Sequence, residues 1–262
     1  MHKRLPYHLI LFLAVLCIVP VPALPQVKGL TVSHTYDQAN NKITLHVVNT
    51  SGKDVTAYNI KIKETYPTGI NEHEYLTDTL GIMLNIQEYA GTSKGDEFRK
   101  QFGNGTLQAG ASRDELQFVR PGLTNYETTV DTVIYADKTA ETTNKEALDR
   151  ALGRRKSEAS TLQATNDIIK KALQNTQDPT PNETAAKEIE QVQRSWEAKY
   201  RHNPPDLNVG TLNGVMLELR NASNETGLFT SMHAYLNDYV TKKTQRAGVL
   251  LEHAAPKLGG AQ

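Results

Sequence analysis

The stretch Val130-Asp131-Thr132-Val133-Ile134-Tyr135-Ala136-Asp137-Lys138-Thr139-Ala140 runs into Glu141-Thr142-Thr143-Asn144-Lys145-Glu146-Ala147-Leu148, and there the chain changes rhythm. Before residue 140, apolar residues alternate and turns recur. After it, Leu148, Leu152, Ala159, Leu162, Ile169 and Leu173 step by 4, 7, 3, 7 and 4, one face of a long helix. Strands first and helices second predict an α+β protein of two units. The expected architecture is an antiparallel β-sandwich over 24–140 and an α-helical region over 141–262, made of a long helix and a small bundle.

Working back from residue 140, Leu30, Val32, His34 and Tyr36 alternate with polar residues. Asp37 to Asn41 make a turn, and Ile43, Leu45 and Val47 follow at period two. Asn49 to Lys53 form a second turn. Val55 to Ile62 reads as the next strand, and its parity shift between Ala57 and Tyr58 suggests a bulge. Gly81 to Ile86, Glu115 to Val119 and Thr128 to Ala136 are further strand candidates. Residues 87–112 read as a long irregular loop with five glycines. Their spacing fits no nucleotide fingerprint.

Working forward, Pro181 suits a first helical position, with Thr180 before it as N-cap. Ala185, Ile189, Val192, Trp196 and Tyr200 give a second helical face, with Trp196 as core, and Asn203-Pro204-Pro205-Asp206 ends it. Leu212, Val215, Met216 and Leu219 give a third face. Phe229, Met232, Leu236, Tyr239 and Val240 start a fourth, and Gly259 to Gln262 should fray. The first helix either joins the bundle or stands off as an arm. Arg154-Arg155-Lys156 and Lys242-Lys243 read as solvated helix faces.

The N-terminus carries its own signal. His2, Lys3 and Arg4 precede an apolar run from Leu9 to Val19, closed by Pro20 and Pro22, and Val21-Pro22-Ala23 fits a small-residue cleavage pattern. Residues 1–23 are therefore expected to be a cleaved secretory leader, and the protein to be secreted or periplasmic. Cys17 is the sole cysteine and lies inside the leader, preceded by Leu16 rather than the small residue that lipidation requires. The mature chain thus lacks disulfides, a cysteine nucleophile and thiolate metal sites. A cysteine-free exported chain suits a bacterium.

The 29 basic residues match 29 acidic ones, and no polybasic run occurs. Phosphate-backbone binding lacks its driver, so no nucleic-acid partner is expected. Nor is a membrane span expected after leader removal.

Val47 to Tyr58 and Val133 to Ala140 resemble strand–turn–strand and last-strand segments of bacterial exported immunoglobulin-like modules of uncharacterised function. The resemblance covers residues 27–140. It implies a binding or scaffolding module with no catalytic residues to carry over.

Candidate chemistry is sparse. Alternation puts the His34 and His46 rings on opposite faces of the sheet, which argues against a shared metal. Glu72, Glu74, Asp114 and Glu115 read as solvated strand edges. No G-x-S-x-G or H-E-x-x-H is present. No cofactor is expected. Asn49, Asn104, Asn182, Asn221 and Asn224 head N-x-S/T triplets, read as turn and cap chemistry. Tyr66, Tyr75, Tyr89 and Phe98 fall in or near loops and are the candidate binding residues, suited to partner contact or sugar stacking, unless they cap the sandwich core. The expected function is a non-enzymatic binding or scaffolding protein of the bacterial envelope. It would contact an envelope protein or glycan and could self-associate through its helices. The alternative is a glycan hydrolase built on paired carboxylates, although no cleft-forming insertion is apparent in the β half.

Overall fold

A computed structural model of the chain describes residues 27–199, 208–225 and 229–258. The expected leader, Tyr200, the Asn203–Asp206 break and the tail from Gly259 lie outside the described residues. The fold mixes helices with two sheets.

The first sheet has β1 (Leu30–Asp37), β2 (Lys42–Asn49) and β5 (Ser112–Phe118), in the order β1-β2-β5 and antiparallel throughout. The second has β3 (Val55–Tyr66), β4 (Gly69–Asp78), β6 (Asn125–Tyr135), β7 (Thr139–Thr142) and the short β8 (Lys257–Leu258), in the order β4-β3-β6-β7-β8. Ile43, Leu45 and Val47 of β2 face Ile60, Ile62, Val130 and Val133 of the other sheet in one buried cluster. Each such side chain removed from water contributes about 1.5–3 kcal/mol.

Unlike the first sheet, the second is covered on both faces. Ala57, Ile134 and Ala140 pack their other side against Leu148 and Ala151 of α3 (Lys145–Leu173). Hence Val55 to Ile60 are buried without alternation. The edge strand β4 went unread in the sequence, because glutamates and a histidine interrupt its pattern.

Two bulges shape the second sheet. The β3–β6 register shifts between Val55 and Ala57 and between Asn59 and Ile60, leaving Thr56 and Asp131 unpaired in their strands. Both are reused. Thr56 meets Arg155 of α3, while Asp131 accepts from the Asn59 and Asn144 amides. Asn144 also caps α3, its side chain accepting from Ala147 N–H.

Several sequence expectations need correction. Gly81 to Ile86 is no strand but most of a helix, α1 (Leu80–Glu88). A short apolar run fits either period, and here Leu80 and Leu84, one turn apart, join the helical core. The irregular loop contains α2 (Ser93–Phe102), capped by Thr92. Together α1 and α2 form an insertion between β4 and β5, and it does form a cleft. Residue 140 is not a clean boundary, since β7 straddles it and β8 returns to the sheet from the far end of the chain.

The helices α3, α4 (Pro181–Lys199), α5 (Val209–Arg220) and α7 (Met232–Glu252) share a core of Leu162, Ile169, Ile189, Leu219, Leu236 and Leu250, among others, and the one-turn α6 (Ala222–Glu225) follows α5. The long helix is thus no free arm. Trp196, expected as core, is only half-buried. Arg155 and Lys243, expected in solvent, are 2% and 5% exposed. Asn49 and Asn182 are buried in turn and cap roles. The Asn49 amide donates to the Lys53 and Leu107 carbonyls, and that of Asn182 to the Leu219 carbonyl.

Candidate functional site

Where β4, β5 and the insertion meet, they enclose a cleft of about 590 Å³. One wall is Tyr75 and Thr77 of β4. The opposite wall is Arg113, Asp114 and Glu115 of β5. The insertion contributes Gln101, Phe102 and Asn104. Gly105 explains how the turn after α2 closes so tightly. Its φ is +81°, and a Cβ there would stand 2.5 Å from Met83 N.

Each acidic group of the cleft is held. Glu115 accepts from the hydroxyls of Tyr58 at 2.8 Å and Tyr75 at 3.0 Å. Burial first, then the Glu115 charge, push both phenols above their usual pKa, so they remain donors. Asp78 is bound through two guanidinium nitrogens by Arg155. Asp114 lies 2.8 Å from His46 Nδ1. The cleft therefore offers a tyrosine and a phenylalanine ring, amides, one guanidinium and pre-oriented carboxylates. That is a set for hydrogen-bonding a polar ligand with a flat apolar side.

The His46–Asp114 contact continues to Thr35, whose Oγ1 is 3.2 Å from His46 Nε2. This hydroxyl–imidazole–carboxylate chain spans β1, β2 and β5, and sequence reasoning missed it because its members lie far apart. It faces outward on the first sheet, where backbone N–H groups lie in the sheet plane. His34 lies opposite Leu45 and His46 opposite Ser33, so the two rings are on different faces.

A second cavity, about 210 Å³, lies between α1, α2, α5 and α7. At its floor, Glu218 accepts from Tyr89 and Tyr239, each at 2.7 Å, and pairs with Lys243 at 3.0 Å. Lys243 also reaches Glu88 at 2.7 Å. Burial would raise the Glu218 carboxyl. The Lys243 charge and the two phenol donors outweigh it and hold the group below its usual range.

No family model matches the sequence, and no curated protein matches it. A solved structure of a hypothetical protein from Peptoclostridium difficile 630 is similar at 10% identity with a TM-score of 0.28, covering 46% of this chain and 89% of that one. A likeness that slight carries no argument about this chain.

The four candidate aromatics are dispersed. Tyr75 lines the cleft. Tyr89 and Phe98 stack on each other at 6.3 Å on the insertion, with Tyr89 turned into the second cavity. Tyr66 is a core cap: its hydroxyl donates to Glu64 and accepts from Arg120 N–H. Glu72 pairs with Lys61, and Glu74 meets Arg150, so these two are structural edge charges. Among the described residues, no group of three or more His, Cys, Asp or Glu is placed to hold a metal ion. No described helix is long and apolar enough to cross a membrane.

Proposed function

We propose that the chain is an exported, non-enzymatic binding protein of the bacterial envelope whose cleft takes a glycan. The observation that carries this is the cleft itself. Tyr75 and Phe102 line it with aromatic rings, the residue type that stacks on the apolar side of a sugar. Gln101, Asn104, Arg113 and Glu115 surround them with the amide, guanidinium and carboxylate groups that pair with vicinal hydroxyls. The antiparallel first sheet stacked on the antiparallel strands β4, β3, β6 and β7 of the second supports an immunoglobulin-like reading of the β half, and the leader pattern of residues 1–23 supports export.

The hydrolase reading is weaker for a physical reason. Paired carboxylates must both face the scissile bond, and here Glu115 is engaged by Tyr58 and Tyr75, Asp78 by Arg155 and Asp114 by His46. Titration of the mature chain with N-acetylglucosamine oligomers and soluble peptidoglycan fragments tests the proposal calorimetrically. Saturable binding is expected, weakened about tenfold or more by Tyr75→Ala or Arg113→Ala, since each loses a stacking or charged contact. Absence of binding to every probe overturns the glycan reading. Cleavage of a probe favours the hydrolase.

A further inference from the structure

We propose that the second cavity is a binding site for a small organic cation, an alkylated ammonium group, and that the protein's own Lys94 occupies it in the unliganded state. Four aromatic rings line it: Tyr89 from the insertion, and Phe229, Tyr235 and Tyr239 from the helical half. Phe229 and Tyr235 meet edge to face at 5.4 Å, and Tyr235 and Tyr239 lie 6.2 Å apart. Ring faces carry negative potential and attract cations within about 6 Å of the centroid.

The cavity already uses that attraction. Lys94 Nζ sits 3.9 Å over the Tyr89 ring and 4.0 Å from Glu218 Oε1. Lys243 Nζ sits 4.9 Å over Tyr239. The two lysines differ in kind. Lys243 is buried between Glu88 and Glu218 and belongs to the frame. Lys94 is 41% exposed, projects from the first turn of a peripheral helix, and can rotate into water without moving the backbone.

Charge balance says what would replace it. Glu88, Glu218 and Asp238 face Lys94, Lys242 and Lys243 around the cavity floor and rim, while Arg246, which pairs with Glu158, also reaches Glu88. With Lys94 withdrawn, one negative charge is uncompensated beside three tyrosines and a phenylalanine. An ammonium carrying methyl groups satisfies both halves of that environment. A hard metal ion would find aromatic walls in place of the oxygen shell it needs.

The test is calorimetric titration of the full mature chain with tetramethylammonium, choline and tetrabutylammonium chlorides, with sodium chloride as the ionic-strength control. Lys94→Met removes the internal competitor. It should bind tetramethylammonium or choline about tenfold more tightly than the unaltered chain, because the ring faces and the carboxylate no longer have to release a lysine first. Tetrabutylammonium, too large for about 210 Å³, should bind neither chain. Glu218→Gln should abolish the gain when combined with Lys94→Met. Should that double variant fail to fold, the comparison of Lys94→Met with the unaltered chain decides alone. Equal affinities of those two chains, or no saturable binding to either, overturns the proposal. So does equal binding of all three ammonium ions. None of these outcomes bears on oligosaccharide binding in the cleft.

Discussion

Arg155 shows how one side chain can join the two halves of this molecule. From the middle of α3 its guanidinium donates to Asp78 at 2.8 and 3.0 Å, to the Thr56 hydroxyl at 3.2 Å and to the His253 carbonyl at 3.1 Å. It thereby ties a strand end, a β-bulge and the end of the last long helix together. Removing one partner of a buried ion pair leaves the other desolvated and uncompensated. Arg155→Ala is expected to destabilise the protein by about 3–5 kcal/mol in urea unfolding. His253, next to this junction, has its pKa lowered, first by burial and then by the Arg155 and Lys138 charges. A histidine that favours its neutral form in the folded state adds stability above its unfolded value of 6.5 and loses it as pH falls below that. The melting temperature should therefore drop between pH 7.5 and 5.5, and His253→Gln should flatten that part of the profile. The sequence holds a trace of Arg155's role. Ala151, Arg155 and Ala159 step by four along the buried stripe, and Lys243 falls between Val240 and Ala247 in the same way. Charge alone made both look solvated. Their acidic partners lie too far along the chain for any local pattern to show.

At the scale of elements, the α1–α2 insertion sets both cavities. One side closes the cleft, and the other, through Tyr89 and Glu88, walls the second cavity. Its sequence was legible as apolar and glycine-rich, but not as helical, because Gly81 to Ile86 is too short for its period to be decisive. The edge strand β4 was illegible for a different reason. Among the described residues it pairs with β3 alone, and its charged residues answer partners such as Lys61 and Arg150 rather than an alternating core. By contrast, β1, β2, α3 and α5 follow their apolar spacing closely, whereas in β5 the alternation holds with the faces reversed: Leu116 and Phe118 are exposed and Arg113, Glu115 and Gln117 are half-buried. Gly105 is the hinge on which the insertion depends. Gly105→Ala needs a Cβ in a left-handed backbone and against Met83 N. It should destabilise the chain by about 1–3 kcal/mol. Amide hydrogen exchange should then speed up in α1 and α2 more than in β2 or β6.

At the scale of the whole molecule, the change of rhythm near residue 140 marks where helix begins, yet the halves do not separate there. The second sheet buries one face against the first sheet and the other against the start of α3. Its far edge takes a parallel strand from residues 257 and 258. No periodicity in the sequence reports such contacts, because each joins different elements, at the extreme Thr139 of β7 and Lys257 of β8. Shared cores predict shared unfolding. Trp196, the single tryptophan, reports on α4, and the His34 ring, edge-on to Tyr126, reports on the first sheet. Their urea transitions should coincide, whereas independent halves would give separate midpoints.

The cleft is legible in the sequence only through Tyr75 and the Asp114-Glu115 pair. Phe102, Gln101 and Asn104 become site residues through the fold of the insertion. The most direct measurement is an amide and side-chain NMR titration of the mature chain with N-acetylglucosamine oligomers. Shifts concentrated at Tyr75, Gln101, Asn104 and Arg113, with the outer face of the first sheet unmoved, are the predicted result. Shifts that avoid these residues, or none at saturating oligomer, would contradict it.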